Sequence, residues 1–370
     1  MNPYDPQRPS PPQVFAGRGS LVTKVAEFLD MAGTHRRSGA ILLHGHRGSG
    51  KTSALRKIQA MAREKQGNSV VVEVPLRGRS TETALLRDIV EEVRRVVGER
   101  ALTGARIRAL AERVRGINVF GSGVTLEGTP SVNPLTLWRQ CLSALEGADL
   151  LCVCIDDAEL LDRTGLGTLK TLAESASNVP LLLAVAGGPD LAKRLAEPES
   201  SPVARAFSGA AFDLEEFTLP ETEEALRAPL KVLGGTGKWT DGAIRRLWEL
   251  SHGYPYLVKC LAYAAYEDGG TIRAEEVTAS IPEGLRVGAP WLEREIPNAS
   301  DLDIIAFARI AQMGKVVLRS SEILGMGIQS PYIGRLVRLG VVKKLARGHY
   351  ELRKAPVIAY YHQLKRQLSG

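Results

Sequence analysis

Residues Gly45 to Thr52 read Gly-His-Arg-Gly-Ser-Gly-Lys-Thr, which fits the spacing G-x-x-x-x-G-K-S/T without mismatch. No other stretch constrains the fold of the chain as much. The apolar run Ala40-Ile41-Leu42-Leu43 precedes it and a helix-forming segment, Ser53 to Lys65, follows it, so the flanks predict strand, loop and helix. Glycines let successive backbone N–H groups turn inward around a phosphate with no Cβ in the way. The helix N-terminus adds partial positive charge behind them. Gly45, His46, Arg47, Gly48, Ser49, Gly50, Lys51, Thr52 and Ser53 are therefore expected to wrap the phosphates of ATP. Lys51 would reach the β/γ-phosphates and the Thr52 hydroxyl would hold Mg²⁺.

A second acidic site fits the first. Leu150-Leu151-Cys152-Val153-Cys154-Ile155 is a continuous apolar run, as in a strand buried on both faces of a parallel sheet, and it ends in Asp156-Asp157. Ligands of open α/β sheets sit at the carboxyl edge of the strands. Asp156 is thus the candidate metal partner and Asp157 the candidate for orienting the attacking water. An aspartate here can also cap the next helix. Two of them after a buried strand favour the metal site.

Composition bounds the rest. The chain has 370 residues, enough for two or three cores, and no apolar run approaches the ~20 residues of a membrane span. The opening MNPYDPQRPSPPQ is Pro-rich and polar, and predicts an extended arm (1–13) rather than a signal or transit peptide. Cysteines 141, 152, 154 and 260 lack metal-ligand spacing; Cys152 and Cys154 are expected to be small core residues, and this usage suits a reducing, cytoplasmic setting. The net charge of +7 is unevenly spread. Residues 301–370 hold twelve Lys/Arg against four Asp/Glu, which leaves the remainder near neutral. Such asymmetry suggests a polyanion partner for the tail, most simply nucleic acid.

Along the chain, apolar periodicity predicts helices over Leu21–Met31, Thr81–Val97 and Pro134–Leu145, and buried strands at Ser69–Pro75 and Pro180–Gly188. The alternation within Gly116–Gly128 predicts a small β-hairpin. Strands alternating with helices give an α/β class, a P-loop NTPase parallel sheet sandwiched by helices, over 14–218. From Leu219 the pattern turns helical (Glu221–Leu233, Thr240–Ser251, Tyr254–Asp268), predicting a helical lid over 219–298. Residues 299–370 have the form of a winged helix. Its first helix carries Leu302, Ile305, Phe307 and Ile310, and its third, Ser330–Leu339, turns Ile333, Leu336 and Val337 inward with Arg335 and Arg338 outward. A wing hairpin with Lys343, Lys344 and Arg347 follows. In this class the third helix enters the major groove and the wing touches phosphates. Ser330 and Tyr332 have side chains suited to the same surface.

Taken together, these residues resemble the AAA+/STAND-like ATPases, in the branch similar to archaeal and eukaryotic replication initiators. Val14-Phe15-Ala16-Gly17-Arg18 is similar to the family's F-x-G-R box, which implies that Val14, Phe15, Gly17 and Arg18 sit over the adenine. Leu181–Gly187 followed by Gly187-Gly188-Pro189-Asp190-Leu191 resembles the sensor-1 strand. Ser251-His252-Gly253-Tyr254-Pro255-Tyr256 resembles the s-x-G-y-P of the lid, which implies a contact of Pro255 with the base. The resemblance further implies homo-oligomers on ATP binding, with an arginine acting in trans; Arg205 is the first choice and Arg194 the second. Three departures stand out. Walker B is Asp-Asp instead of Asp-Glu, one methylene shorter, which suits a slow switch. The sensor-1 strand is apolar (Ala184-Val185-Ala186), and the lid offers Lys259 in place of a sensor-2 arginine. Two functions follow: an ATP-dependent switch that binds DNA, or a STAND-type signalling ATPase whose lid and tail contact a protein partner.

Overall fold

The structure, a computed structural model, describes residues 2–65, 67–76, 78–100, 112, 114, 133–174 and 178–369. They form two compact units: Met1–Ser10, Val14–Gly17 and Glu215–Gly370 make one, and Pro11–Gln13 with Arg18–Leu214 the other. The hairpin expected over Gly116–Gly128 lies outside the described residues.

In the unit that contains Arg18–Leu214, the apolar runs become strands β1 (Gly39–His44), β2 (Ser69–Pro75), β3 (Leu150–Asp156) and β4 (Leu181–Gly187). A short β5 (Ala211–Asp213) completes a five-stranded sheet of order β2-β3-β4-β1-β5, parallel throughout. Every residue of β4 is buried, as a strand covered on both faces requires. The helices Gly19–His35, Lys51–Lys65, Glu82–Arg100, Pro134–Ala144, Arg163–Ala173, Pro189–Ala196 and Ser201–Ala206 accompany the sheet. The first runs beyond its expected end to His35, after which Arg36, with a left-handed backbone (φ 52°), returns its N–H to Ala32 O and closes the helix. Cys152 and Cys154 lie fully buried with sulfurs 3.9 Å apart, as core residues. The crossovers leave the β1–Lys51 loop, Asp156 and Gly187 at one carboxyl edge of the sheet.

The other unit opens with the helix Leu219–Leu233, started by a capping box in which Thr218 and Glu221 satisfy each other's backbone N–H. Helices Asp241–Ser251, Pro255–Ala265, Ala274–Ala279 and Ile281–Leu292 follow, with a two-residue parallel pair, β6 (Lys238–Trp239) and β7 (Thr271–Ile272). The winged-helix elements come next: Asp301–Gln312, β8 (Val317–Arg319), Ser320–Gly325, Ser330–Arg338, β9 (Val342–Ala346), β10 (His349–Leu352) and a closing helix, Pro356–Ser369. β10 pairs antiparallel with both β8 and β9. One continuous core runs from Trp239 and Leu257 of the helical segment through Trp291 and Leu292 to Phe307, Leu336 and Ile358 of the winged helix.

Three details depart from the sequence pattern. Within the polar, proline-rich residues 2–10, Tyr4 is buried to 2% exposure; its hydroxyl donates to Leu226 O and accepts from Trp239 Nε1 at 2.8 Å. Leu302 and Ile305 face outward, because the helix Asp301–Gln312 turns Asp303, Ile304, Phe307 and Ile310 to the core. Val337 is likewise exposed.

Candidate phosphate-binding site

The loop after β1 carries Gly48 and Gly50 at φ 84° and 95°, a region that glycine enters without steric cost. A Cβ placed on Gly50 would meet nothing within 4 Å, so this face of the loop is open where a phosphate would lie. Ser49 is buried, and its Oγ has no hydrogen-bond partner among the described residues. Such an orphaned polar atom inside a glycine-rich cradle fits a polar ligand. Lys51 Nζ donates to the carbonyls of Gly45 (2.9 Å) and His46 (3.0 Å), so the ammonium lies over the loop's concave side. Desolvation lowers its pKa, opposed by the charges of Glu159, Asp156 and Asp157. Arg18 Nη2 lies 3.4 Å from Ser49 O, while His46 and Arg47 are exposed.

Thr52 Oγ1 donates to Asp156 Oδ2 at 2.6 Å. This bond joins the first turn of the helix Lys51–Lys65 to the tip of β3, residues 104 apart in sequence. Hydroxyl and carboxylate oxygens together are hard donors suited to Mg²⁺, which keeps part of its water and phosphate shell. Asp157 is exposed with a left-handed backbone (φ 53°), an uncommon position for a residue with a Cβ. Desolvation and the nearby Asp156 and Glu159 carboxylates raise its pKa. By sequence pattern Glu159 is only an acid at the start of the next helix; it sits in the turn Ala158–Leu160 that follows. Its Oε2 accepts Gly188 N–H at 2.9 Å, and its carbonyl accepts Arg194 Nη1 at 3.1 Å. The available signal was an acid three residues past Asp156, but only the turn shows where that acid points. Arg205 is exposed, in the helix Ser201–Ala206.

The F-x-G-R box is divided between the units: Arg18 lies with the phosphate loop and Val14–Gly17 with the helical unit. There Gly17 N–H donates to Glu224 Oε2 at 3.0 Å, and a Cβ on Gly17 would come 2.7 Å from the Phe217 ring. Gly253 of the s-x-G-y-P segment meets the same residue. Its O accepts Phe217 N–H at 2.7 Å, and a Cβ on it would sit 2.1 Å from Phe217 O. The two motifs thus converge on one residue that neither contains, Gly17 against the Phe217 ring and Gly253 against the Phe217 backbone. Pro255 opens the helix Pro255–Ala265, half-buried. Lys259 Nζ donates to Arg8 O at 2.7 Å.

In the winged helix, Arg338, Lys343, Lys344 and Arg347 are exposed, and none forms an ion pair among the described residues. Arg335 differs. Its Nε and Nη2 grip the two carboxylate oxygens of Asp303 at 2.8 and 2.6 Å, and the Asp303 side chain has no exposure. The guanidinium expected to face base edges is held against the first helix.

Residues 14–184 match the protein family described as AAA ATPase domain. In fold, the chain is similar to the ORC2 protein of Aeropyrum pernix in ADPNP–ADP complexes (TM-score 0.56, 16% identity, 99% of this chain and 98% of that one). It is also similar to the Walker-type ATPase PABY2304 of Pyrococcus abyssi (TM-score 0.52, 16% identity, 94% of this chain and 96% of that one). At this identity the likeness concerns the fold alone. No curated protein matches the chain in sequence, and no helix among the described residues is long and apolar enough to cross a membrane.

Proposed function

Starting from an AAA ATPase domain over residues 14–184, we propose that this chain is a slow, ATP-hydrolysing switch that engages duplex DNA through its winged helix. Its working parts are an ATPase core (14–218), a lid (219–298) and a winged helix (299–370), with nucleotide controlling assembly or DNA engagement. The observation that carries the nucleotide half is the Thr52–Asp156 bond beneath the open face of the glycine loop. Lys51 leaves two neutral carbonyls for the β/γ-phosphates, because the phosphate oxygens pair its charge with an opposite one. Thr52 and Asp156 hold Mg²⁺, which when bound neutralises charge on the phosphate oxygens. Asp157 orients the attacking water. The box Val14-Phe15-Ala16-Gly17-Arg18 and Pro255 receive the adenine. In a homo-oligomer, Arg205 is the arginine offered to a neighbour's nucleotide.

The DNA half rests on the exposed cations Arg338, Lys343, Lys344 and Arg347, which no carboxylate neutralises among the described residues. Titration of a duplex with and without ATP at two salt concentrations tests this. Replacing Lys343, Lys344 and Arg347 by Glu should weaken binding alike at all sequences and flatten the slope of log K against log salt by about three units. An unchanged affinity and slope would make the winged helix a protein-contact module and favour the signalling ATPase. Lys51→Ala should abolish ATP binding; affinity within about twofold of wild type would remove the phosphate-loop assignment.

A further inference from the structure

At the carboxyl edge of the sheet, the reading above leaves the Glu159 carboxylate unused. Glu159 Oε2, fixed to Gly188 N–H, carries the side chain from the end of β3 to the end of β4. Gly187 pairs with His44, the last residue of β1, and the next residue, Gly45, accepts Lys51 Nζ. A short run of contacts therefore links the carboxylate to the phosphate loop. Together with Asp156 and Asp157, the Glu159 carboxylate opposes the lowering of the Lys51 pKa by burial. The tip of β4 has no polar side chain of its own, ending in Ala184-Val185-Ala186-Gly187. A Cβ on Gly187 would come 3.0 Å from Glu159 Oε2, and one on Gly188 would come 3.3 Å from Oε1. The carboxylate thus fills the space that a side chain on this strand tip would occupy. The turn beneath is pinned by Arg194, and Oε1 has no hydrogen-bond partner among the described residues.

We propose that Glu159 is a second catalytic carboxylate of the ATPase site, holding the attacking water through Oε1 while Oε2 stays fixed to Gly188. This rests on the ATPase reading above and extends it. Asp157 alone falls one methylene short of the usual glutamate, and Glu159 restores that reach from the next turn. In the step, the water oxygen bonds to the γ-phosphorus and the bond from that phosphorus to the β–γ bridging oxygen breaks. ADP leaves with the electron pair, and the water proton passes through the carboxylate to solvent. An acceptor already fixed in place needs no reorganisation during attack.

The test uses the full chain with Mg-ATP, following phosphate release and, separately, affinity for a non-hydrolysable ATP analogue. Glu159→Gln keeps the volume and an oxygen for Gly188 N–H. Affinity should stay within about threefold while kcat falls by about 10²-fold, the usual scale for loss of a general base. Glu159→Ala should fall at least as far and recover in part with added formate. A Glu159→Gln protein with kcat within about threefold of wild type overturns the proposal. Parallel loss of affinity and kcat in both variants, with no response to formate, makes Glu159 a structural strut and also overturns it. No hydrolysis by the wild-type chain would strike the ATPase reading itself, and this one with it.

Discussion

Removing the Arg335 side chain separates a base-reading arginine from a structural one. Burial by itself would raise the Asp303 carboxyl, but the Arg335 fork and the N–H and hydroxyl of Ser300 outweigh it and hold the pKa at about 2. At about 1.36 kcal/mol per unit, the drop from 3.8 corresponds to roughly 2.5 kcal/mol. Ser300 supplies part of this, and the guanidinium is 43% exposed and screened by water, so the arginine's share is smaller. Arg335→Ala should therefore lower the unfolding midpoint by about 2–6 °C at pH 7. The sign follows from a depressed carboxyl. The stabilisation is fully present above the unfolded pKa near 4 and is lost as pH falls through the folded value near 2. The gap between variant and wild type should thus narrow below about pH 4. Thermal unfolding of wild type, Arg335→Ala, Asp303→Asn and the double variant, across pH, gives the coupling directly. A midpoint for Arg335→Ala equal to wild type, together with relaxed DNA sequence preference, would refute the structural role and return the arginine to the groove.

Other outcomes follow from the same geometry. Asp157→Asn should retain ATP binding and lose hydrolysis by at least about 10²-fold, measured by phosphate release. Hydrolysis lost in Asp156→Asn but untouched in Asp157→Asn would reverse the division of roles. Arg205→Ala should depress hydrolysis without weakening ATP binding, and excess Lys51→Ala protein should restore activity, since each variant supplies the half-site the other lacks. No recovery under conditions of co-assembly would leave Arg205 a surface charge. Gly253→Ala should destabilise by at least about 3 kcal/mol, because φ is +71° and the new methyl would sit 2.1 Å from the Phe217 carbonyl. A denaturation midpoint within error of wild type would show that the turn relaxes freely.

The sequence by itself determined what depends on near neighbours. Continuous apolar runs can be satisfied only by strands covered on both faces, so β1 to β4 were legible, as was the glycine loop between β1 and its helix. The pairing of Thr52 with Asp156 could be inferred because each ends or begins an element whose direction the parallel sheet dictates. Tertiary structure decided what depends on a distant partner. β5, three residues long and half exposed, is a strand only because β1 has an open edge beside it. Tyr4 lies in a polar, proline-rich stretch and is buried only because Trp239, Tyr266 and the Leu226 carbonyl form a pocket for it. Arg335 and Arg338 look alike at helical spacing, yet a buried carboxylate 32 residues away holds one of them and leaves the other exposed. Glu159 reads as an ordinary helix-start acid until the turn after β3 carries it to Gly188. Local pattern fixes which elements form; the burial and charge of each side chain are set by what the fold places against it.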